Sequence, residues 1–476
     1  MIAATNIPYP SWLVPGDNTW QLTAATLVGL MSLPGLAVLY GGLVQKKWVV
    51  NTMLMAFTGF SLVLLVWILW AFNMGFGTHP IGGGGGTGIS HFFKDMVSMP
   101  HPITGSAAEM QQTVSGAQSV IPFHFPTATF AYFQVVFAAI TPLLFLGSVL
   151  GRMKFKAWLL FVPLWCTFVY AINAFLLWGG GYFASEGAVD YSGGYVIHLS
   201  AGVAGFVAAW VIGPRLTKDR VHGVPNNLPM VAVGAGILWL GWNGFNGGDP
   251  FYAGVDAAAA VLNTNLATAA ALMTWLVFDM LGSKQKKPTF LGAINGMICG
   301  LVAITPAAGW VNGLGAILIG IIASTIVWFA WNYLPKVRPF SKVDDAMGVI
   351  FTHGIAGLTG GLLVGLFADP NMIEYGIKGK NYAGQGSSFV TGLFYGGGFH
   401  QLWEQLRAAI WVIVFTAIMT YILLQIVKVV CRGLKESDEV LTVGDLAMHD
   451  EEAYPQETFA EKISALSFTS NGSEDD

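Results

Sequence analysis

Eleven mostly apolar stretches, each near the length of about 20 residues that carries a helix across a bilayer core, restrict this chain more than anything else in it. They fall at 22–41, 52–73, 125–150, 156–180, 193–214, 228–246, 253–282, 289–306, 312–334, 347–369 and 404–430. Helices of soluble proteins average about 11–12 residues. Charged residues make up only 10% of the 476, against roughly 25% in soluble domains, which leaves too little charge to cover a water-facing surface. The fold class expected is all-α, a polytopic membrane protein of eleven transmembrane helices.

Orientation follows from the basic residues. Five alternate loops hold Lys46 and Lys47; Arg152, Lys154 and Lys156; Arg215, Lys218 and Arg220; Lys284, Lys286 and Lys287; and Lys336, Arg338 and Lys342. The tail adds Arg432, Lys435 and Lys462, whereas the remaining loops carry only Lys94, Lys378 and Lys380. The positive-inside rule puts the basic loops in the cytoplasm, the N-terminus outside and the C-terminus inside. An odd number of spans requires the same. The first nineteen residues lack a basic secretory n-region and read as an external segment. Three domains result: an external segment 1–21, a membrane body 22–430, and a polar, acidic cytoplasmic tail 431–476 expected to be largely mobile.

In that tail, Ser464, Ser467, Thr469, Ser470 and Ser473 are candidates for phosphorylation, with an unregulated, solvated tail as the alternative. Asn471 opens its one Asn-x-Ser match and would be silent in the cytoplasm. Gly82–Gly86 lack the Lys-Ser/Thr of a phosphate-binding loop and read as a flexible turn in an external loop, 74–124. Cys166, Cys299 and Cys431 form no metal or disulfide framework and read as buried apolar residues.

An internal repeat carries the functional argument. Asp190, Gly193, His198, Ala201, Gly202 and Gly205 match Asp345, Gly348, His353, Ala356, Gly357 and Gly360 in register, as D-x2-G-x4-H-x2-A-G-x2-G. The copies lie in the fifth and tenth spans and therefore run in opposite directions, giving an inverted repeat of spans 1–5 and 6–10 with an eleventh helix added. Substrate sites of such folds lie near the midplane between the repeats. The small residues serve close helix crossing. Membrane-embedded histidines face a pore or a partner, so His198 and His353 are expected to meet near the centre and act by proton chemistry or hydrogen bonding.

Aromatic residues gather toward the outer ends of spans: Trp178, Phe133, Phe137, Trp242 and Phe245. They fit either a cation site of stacked rings or an interfacial belt. Asp190 and Asp345 read as helix caps, with cation contact as the alternative. Glu404 and Arg407 are spaced to pair with each other, and Asn173, Asn263, Asn265 and Asn295 to tie helices together.

These segments resemble the Amt/Mep/Rh family of ammonium transporters over about 20–430: Asp190 through Gly202, Phe133 through Thr141, Gly241 through Asn246, and the His353 segment. The N-terminal Gly16 through Gln21 and the long tail resemble its fungal permease branch, and His198 the high-affinity permeases that also sense nitrogen. The resemblance implies ammonium and methylammonium as substrates, a pore in each of three subunits of a homotrimer, and a plasma-membrane location. It further implies external recruitment of ammonium by Trp178, Trp242, Phe137 and Asp249, a phenylalanine gate of Phe137 and Phe245, a twin-histidine pore of His198 and His353, and support of the site by Asp190. The chain departs from the common pattern at Asp249, where many members have Ser, and at Gly348, where many have an acid. A protein kinase acting on the tail is an expected partner; no cofactor and no nucleic acid are expected, and no enzymatic activity. A channel for another small neutral molecule such as carbon dioxide or urea, a sensor with little flux, and a membrane-embedded enzyme are the competing readings.

Overall fold

The computed structural model describes residues 10–84, 88–114, 122–221, 223–372 and 390–455. The apolar runs are helices: α1 Pro15–Leu43, α2 Lys46–Phe76, α3 Thr127–Val149, α4 Phe155–Glu186, α5 Gly194–Ile212, α6 Leu228–Gly247, α7 Val255–Gly282, α8 Phe290–Ile304, α9 Gly313–Lys336, α10 Ile350–Phe367 and α11 His400–Val430. Among the described residues, ten are long and apolar enough to cross a membrane. At 15 residues α8 is shorter, about 22 Å at 1.5 Å per residue. Its chain continues in tight turns through 305–311, where Thr305 N donates to Val302 O and Ala307 N to Ile304 O. Satisfying those groups inside the protein is what a membrane setting demands.

Two boundaries moved for physical reasons. α1 starts at Pro15 rather than 22, because proline suits the first turn and because the polar residues of that turn face protein. Asp17 accepts the Ala253 amide at 2.9 Å and approaches His124 Nδ1 at 3.0 Å. The expected external loop, 74–124, has regular structure among its described residues. It holds short helices at Gly88–Lys94 and Ser106–Met110 and an antiparallel pair, β1 Gln112–Val114 with β2 Pro122–Pro126, a small departure from all-α. Phe123 and Phe125 point inward from β2 while His124 is exposed, a period of two that an apolar-run reading absorbs into the next helix.

The polar ties are mostly as expected. Asn173 donates to Thr416 Oγ1 at 3.2 Å, joining α4 to α11, and Asn263 reaches the carbonyls of Ala308 and Val311 at 2.9 and 2.7 Å. Asn265 donates to Asn243 at 2.8 Å, and Arg407 pairs with Glu404 at 2.7 Å. Asn295 is different: it lines cavities on the basic-loop side. All three cysteines are buried and free. Gly85, Gly86, Lys378, Lys380, Lys462, the five tail hydroxyls from Ser464 to Ser473, and Asn471 lie outside the described residues.

The first part of the tail is docked, contrary to the expected mobility. Residues 431–455 fold against the basic loops through short helices α12 Asp438–Val443 and α13 Asp445–His449. Lys154 N donates to Leu434 O at 2.8 Å and Glu436 N to Arg152 O at 3.0 Å. Lys47 Nζ reaches Leu441 O at 2.8 Å and Asp219 at 3.1 Å. The Asp445 carboxylate accepts the amides of Val50 and Asn51 at 2.7 and 2.9 Å, filling orphan donors at the start of α2. No local pattern reports this docking, because its partners lie about 280 to 400 residues away in sequence.

Docking should depend on pH. Burial raises the Asp445 carboxyl to about 6, outweighing the Asn51 and Val50 amides, which lower it. An undocked carboxyl titrates near about 4. The docked form therefore binds a proton more tightly, so docking is fully favoured below that lower value and weakens as pH rises through 6. Amide exchange across 438–449, corrected for intrinsic rate, is expected to be slower at about pH 5 than at about pH 7.5, and Asp445→Asn should remove the difference.

Candidate functional site

The site begins at two matched helix starts. Gly193 and Gly348 take φ of 110° and 68°, a left-handed turn open to glycine at little cost. Asp190 Oδ2 accepts the amides of Tyr195 and Val196, each at 2.9 Å, and Asp345 Oδ2 accepts the amide of Ile350 at 2.9 Å. Both aspartates thus act as caps, although in α5 and α10 the first turns are wide π-type turns, Gly194–Leu199 and Ile350–Ile355. Such turns favour functional positions because they displace side chains from regular helical register.

Each wide turn carries one histidine. Small residues let the two helices cross closely: a Cβ on Gly202 would overlap the backbone of Gly354, and one on Gly357 would press on Gly194 and on His198. His198 Nδ1 lies 3.1 Å from His353 Nδ1, with ring centroids 5.3 Å apart and planes inclined at 23°. One ring must donate and the other accept, so at least one is neutral. His198 is fully buried, and its Nε2 has no hydrogen-bond partner among the described residues. It remains free for a small polar guest.

A column of rings leads to this pair. Trp178 stacks on Phe76 at 6.4 Å and meets the edge of Phe137 at 6.5 Å, while its Nε1 donates to Asp190 O at 2.6 Å. Phe137 and Phe245 touch at 4.4 Å between centroids, and both are buried. Behind them Trp242 and Phe245 pack at 4.9 Å, and Trp242 stacks on His198 at 5.3 Å and 18°. Beyond His353 a narrow cavity of about 50 Å³, lined by Tyr40, Trp242, Thr352 and His353, opens toward a cavity of about 500 Å³ on the basic-loop side. The two share Leu43, Leu291, Asn295 and Met347 in their walls.

Trp242 therefore stands with the histidines and not beside Trp178 at the outer end. It lies five residues before the end of α6, about 7.5 Å deeper in the helix, and Thr305 Oγ1 holds its Nε1 at 2.9 Å. Asp249 is buried just beyond α6, beside Asp190 and Ser192, and its Oδ2 has no hydrogen-bond partner among the described residues. Phe76 and Ser192 escaped the sequence reading. Phe76 ends α2 with no motif around it, whereas Ser192 sits inside the repeat and donates to Phe245 O at 2.9 Å, so its place in the motif was a usable signal.

A model of the Ammonium Transporter Family matches residues 19–454. The chain belongs to the ammonium transporter family. Its relatives include Ammonium transporter 3 member 1 of Oryza sativa subsp. japonica, 45% identical over 94% of this chain and 88% of that protein. Ammonium transporter 2 of Arabidopsis thaliana is 44% identical over 96% of this chain and 91% of that one. Among solved structures, the crystal structure of Saccharomyces cerevisiae Mep2 is 28% identical over 90% of this chain and 89% of that one, with a TM-score of 0.72. That of Candida albicans Mep2 is 26% identical, covers 90% and 88%, and has a TM-score of 0.74. Identity is higher to these plant transporters than to the fungal structures, so the expected fungal branch gains no support from sequence likeness. Ammonium transporters are membrane transporters rather than enzymes, and the match to residue 454 takes in the docked helices of the tail.

Proposed function

We propose that this chain takes up ammonium across the plasma membrane, recruiting the cation near Trp178 and passing ammonia, with or without its proton, along His198 and His353. The observation that carries the reading is the unbroken order Trp178, Phe137–Phe245, Trp242–His198, His353. An ion in a narrow apolar passage carries a desolvation cost far beyond what rings return, whereas neutral ammonia can hydrogen-bond His198 Nε2. The touching Phe137 and Phe245 rings form the gate between the two forms. Asp190 supports the site by holding the start of α5, and its carbonyl holds Trp178.

The basic-loop side is the cytoplasmic side in this reading, with residues 1–21 outside, 22–430 as the transport body and 431–476 as a regulatory tail. Three subunits, each with its own path, form the functional assembly. Ammonium sensing and control by a protein kinase belong to the tail.

In this reading the Asp249 carboxyl, buried beside Asp190 and Ser192, belongs to the external recruitment site, where an approaching cation favours its ionised form. In vesicles, uptake of isotope-labelled ammonium is expected to saturate and to resist competition by urea or carbon dioxide. Asp249→Ser is expected to raise the external half-saturation roughly three- to ten-fold, the worth of ~1 kcal/mol of cation attraction, with little change in maximal rate. Inhibition by urea or carbon dioxide would favour a channel for neutral molecules. Ammonium binding without flux would favour a sensor.

A further inference from the structure

The large cavity on the basic-loop side holds a carboxylate that no salt bridge among the described residues engages. Among the charged groups in its wall, Arg215 is engaged by Asp344 at 2.7 Å and Asp219 by Lys47 at 3.1 Å. Asp279, largely buried in the last turn of α7, has no basic side chain within salt-bridge distance among the described residues. Its oxygens are fixed by Trp328 Nε1 at 2.9 Å and Thr289 Oγ1 at 3.2 Å. Gly292 packs closely on this carboxylate, since a Cβ there would run into Asp279 Oδ2 and Thr289 Oγ1 and crowd Trp275 Nε1. Trp275 and Trp331 line the same cavity, with ring centroids 6.3 Å apart at 74°.

We propose that this mouth carries its own site for a small monovalent cation, ammonium being the natural occupant, formed by the Asp279 carboxylate and the indoles of Trp275 and Trp331. A carboxylate without a salt-bridge partner offers a cation an unshared counter-charge, and aromatic walls favour a weakly hydrated cation over a strongly hydrated one. The inverted repeat gives a loose parallel in sequence: Trp178 lies 12 residues before Asp190 and Trp331 lies 14 residues before Asp345. The cavity continues to His353 through shared walls, so the site lies where ammonia would leave the path or enter it from within. Lys287 also lines the cavity and opposes cation entry.

The proposal rests on the ammonium-transport reading, and the test separates the two. Vesicles are sorted by orientation, and ammonium flux is driven from each side in turn. Asp279→Asn is expected to raise half-saturation from the basic-loop side roughly five- to ten-fold, as for a lost ion contact, leaving the opposite side nearly unchanged. Lys287→Glu, an exposed loop change outside the packed interior, should lower it from the same side only, and decides the matter if Asp279→Asn does not fold. Variants that alter neither side, or both sides alike, overturn the site while leaving transport intact. A wild type that carries no ammonium from either side overturns both readings.

Discussion

Leucine at Gly202 is expected to leave no folded transporter. A Cβ there already collides with the Gly354 backbone across the crossing of α5 and α10, and backbone, unlike a side chain, cannot rotate away. Overpacking a core usually costs about 1–3 kcal/mol; a clash that must separate two helices at the centre of the bundle should exceed about 3 kcal/mol, a large share of typical folding stability. The matched control is Gly236→Leu on α6, where nothing lies within 4 Å of the added Cβ. Size-exclusion chromatography after detergent extraction should yield monodisperse Gly236→Leu protein and only aggregate for Gly202→Leu. Equal yields would mean that the crossing tolerates a spacing the geometry denies.

Most of the helical layout was legible because spanning helices announce themselves by length and apolar content alone, with little dependence on tertiary context. The repeat was equally readable: Asp190, Gly193 and His198 are fixed by backbone geometry and carry the same identities at Asp345, Gly348 and His353. Depth within a helix was less legible. Trp242 looked external because α6 ends nearby, but its level follows from packing on His198 and Thr305, which no periodicity encodes. The same holds for Asp445, whose partners Val50 and Asn51 lie at the other end of the chain. Arg152 was counted as a loop charge, yet it is fully buried, bonded to the carbonyls of Gly213, Ser148 and Asp344. A sign rule reads it correctly while missing what it does.

Removing both histidines is expected to reduce ammonium flux roughly 10- to 100-fold with the fold preserved. In His198→Ala, His353→Ala the 3.1 Å Nδ1–Nδ1 contact disappears with both of its partners, so no ring is left with a buried, unpaired Nδ1. Such paired removal is far milder than deleting one partner. Ammonia in the widened apolar passage would instead lose its hydrogen-bond partners, costing about 1.4–2.8 kcal/mol in the path, which converts to that range of rate. Single substitutions leave one unpaired imidazole and should lower thermal stability more than the double change does.

The most direct measurement is ammonium-evoked charge movement and internal pH in proteoliposomes, comparing the unaltered chain with the double histidine variant at matched protein content. The account predicts a saturable ammonium-dependent signal, as current if a proton accompanies ammonia or as internal alkalinisation if it does not, lost in the variant. An equal signal from well-folded double variant would contradict a path through His198 and His353.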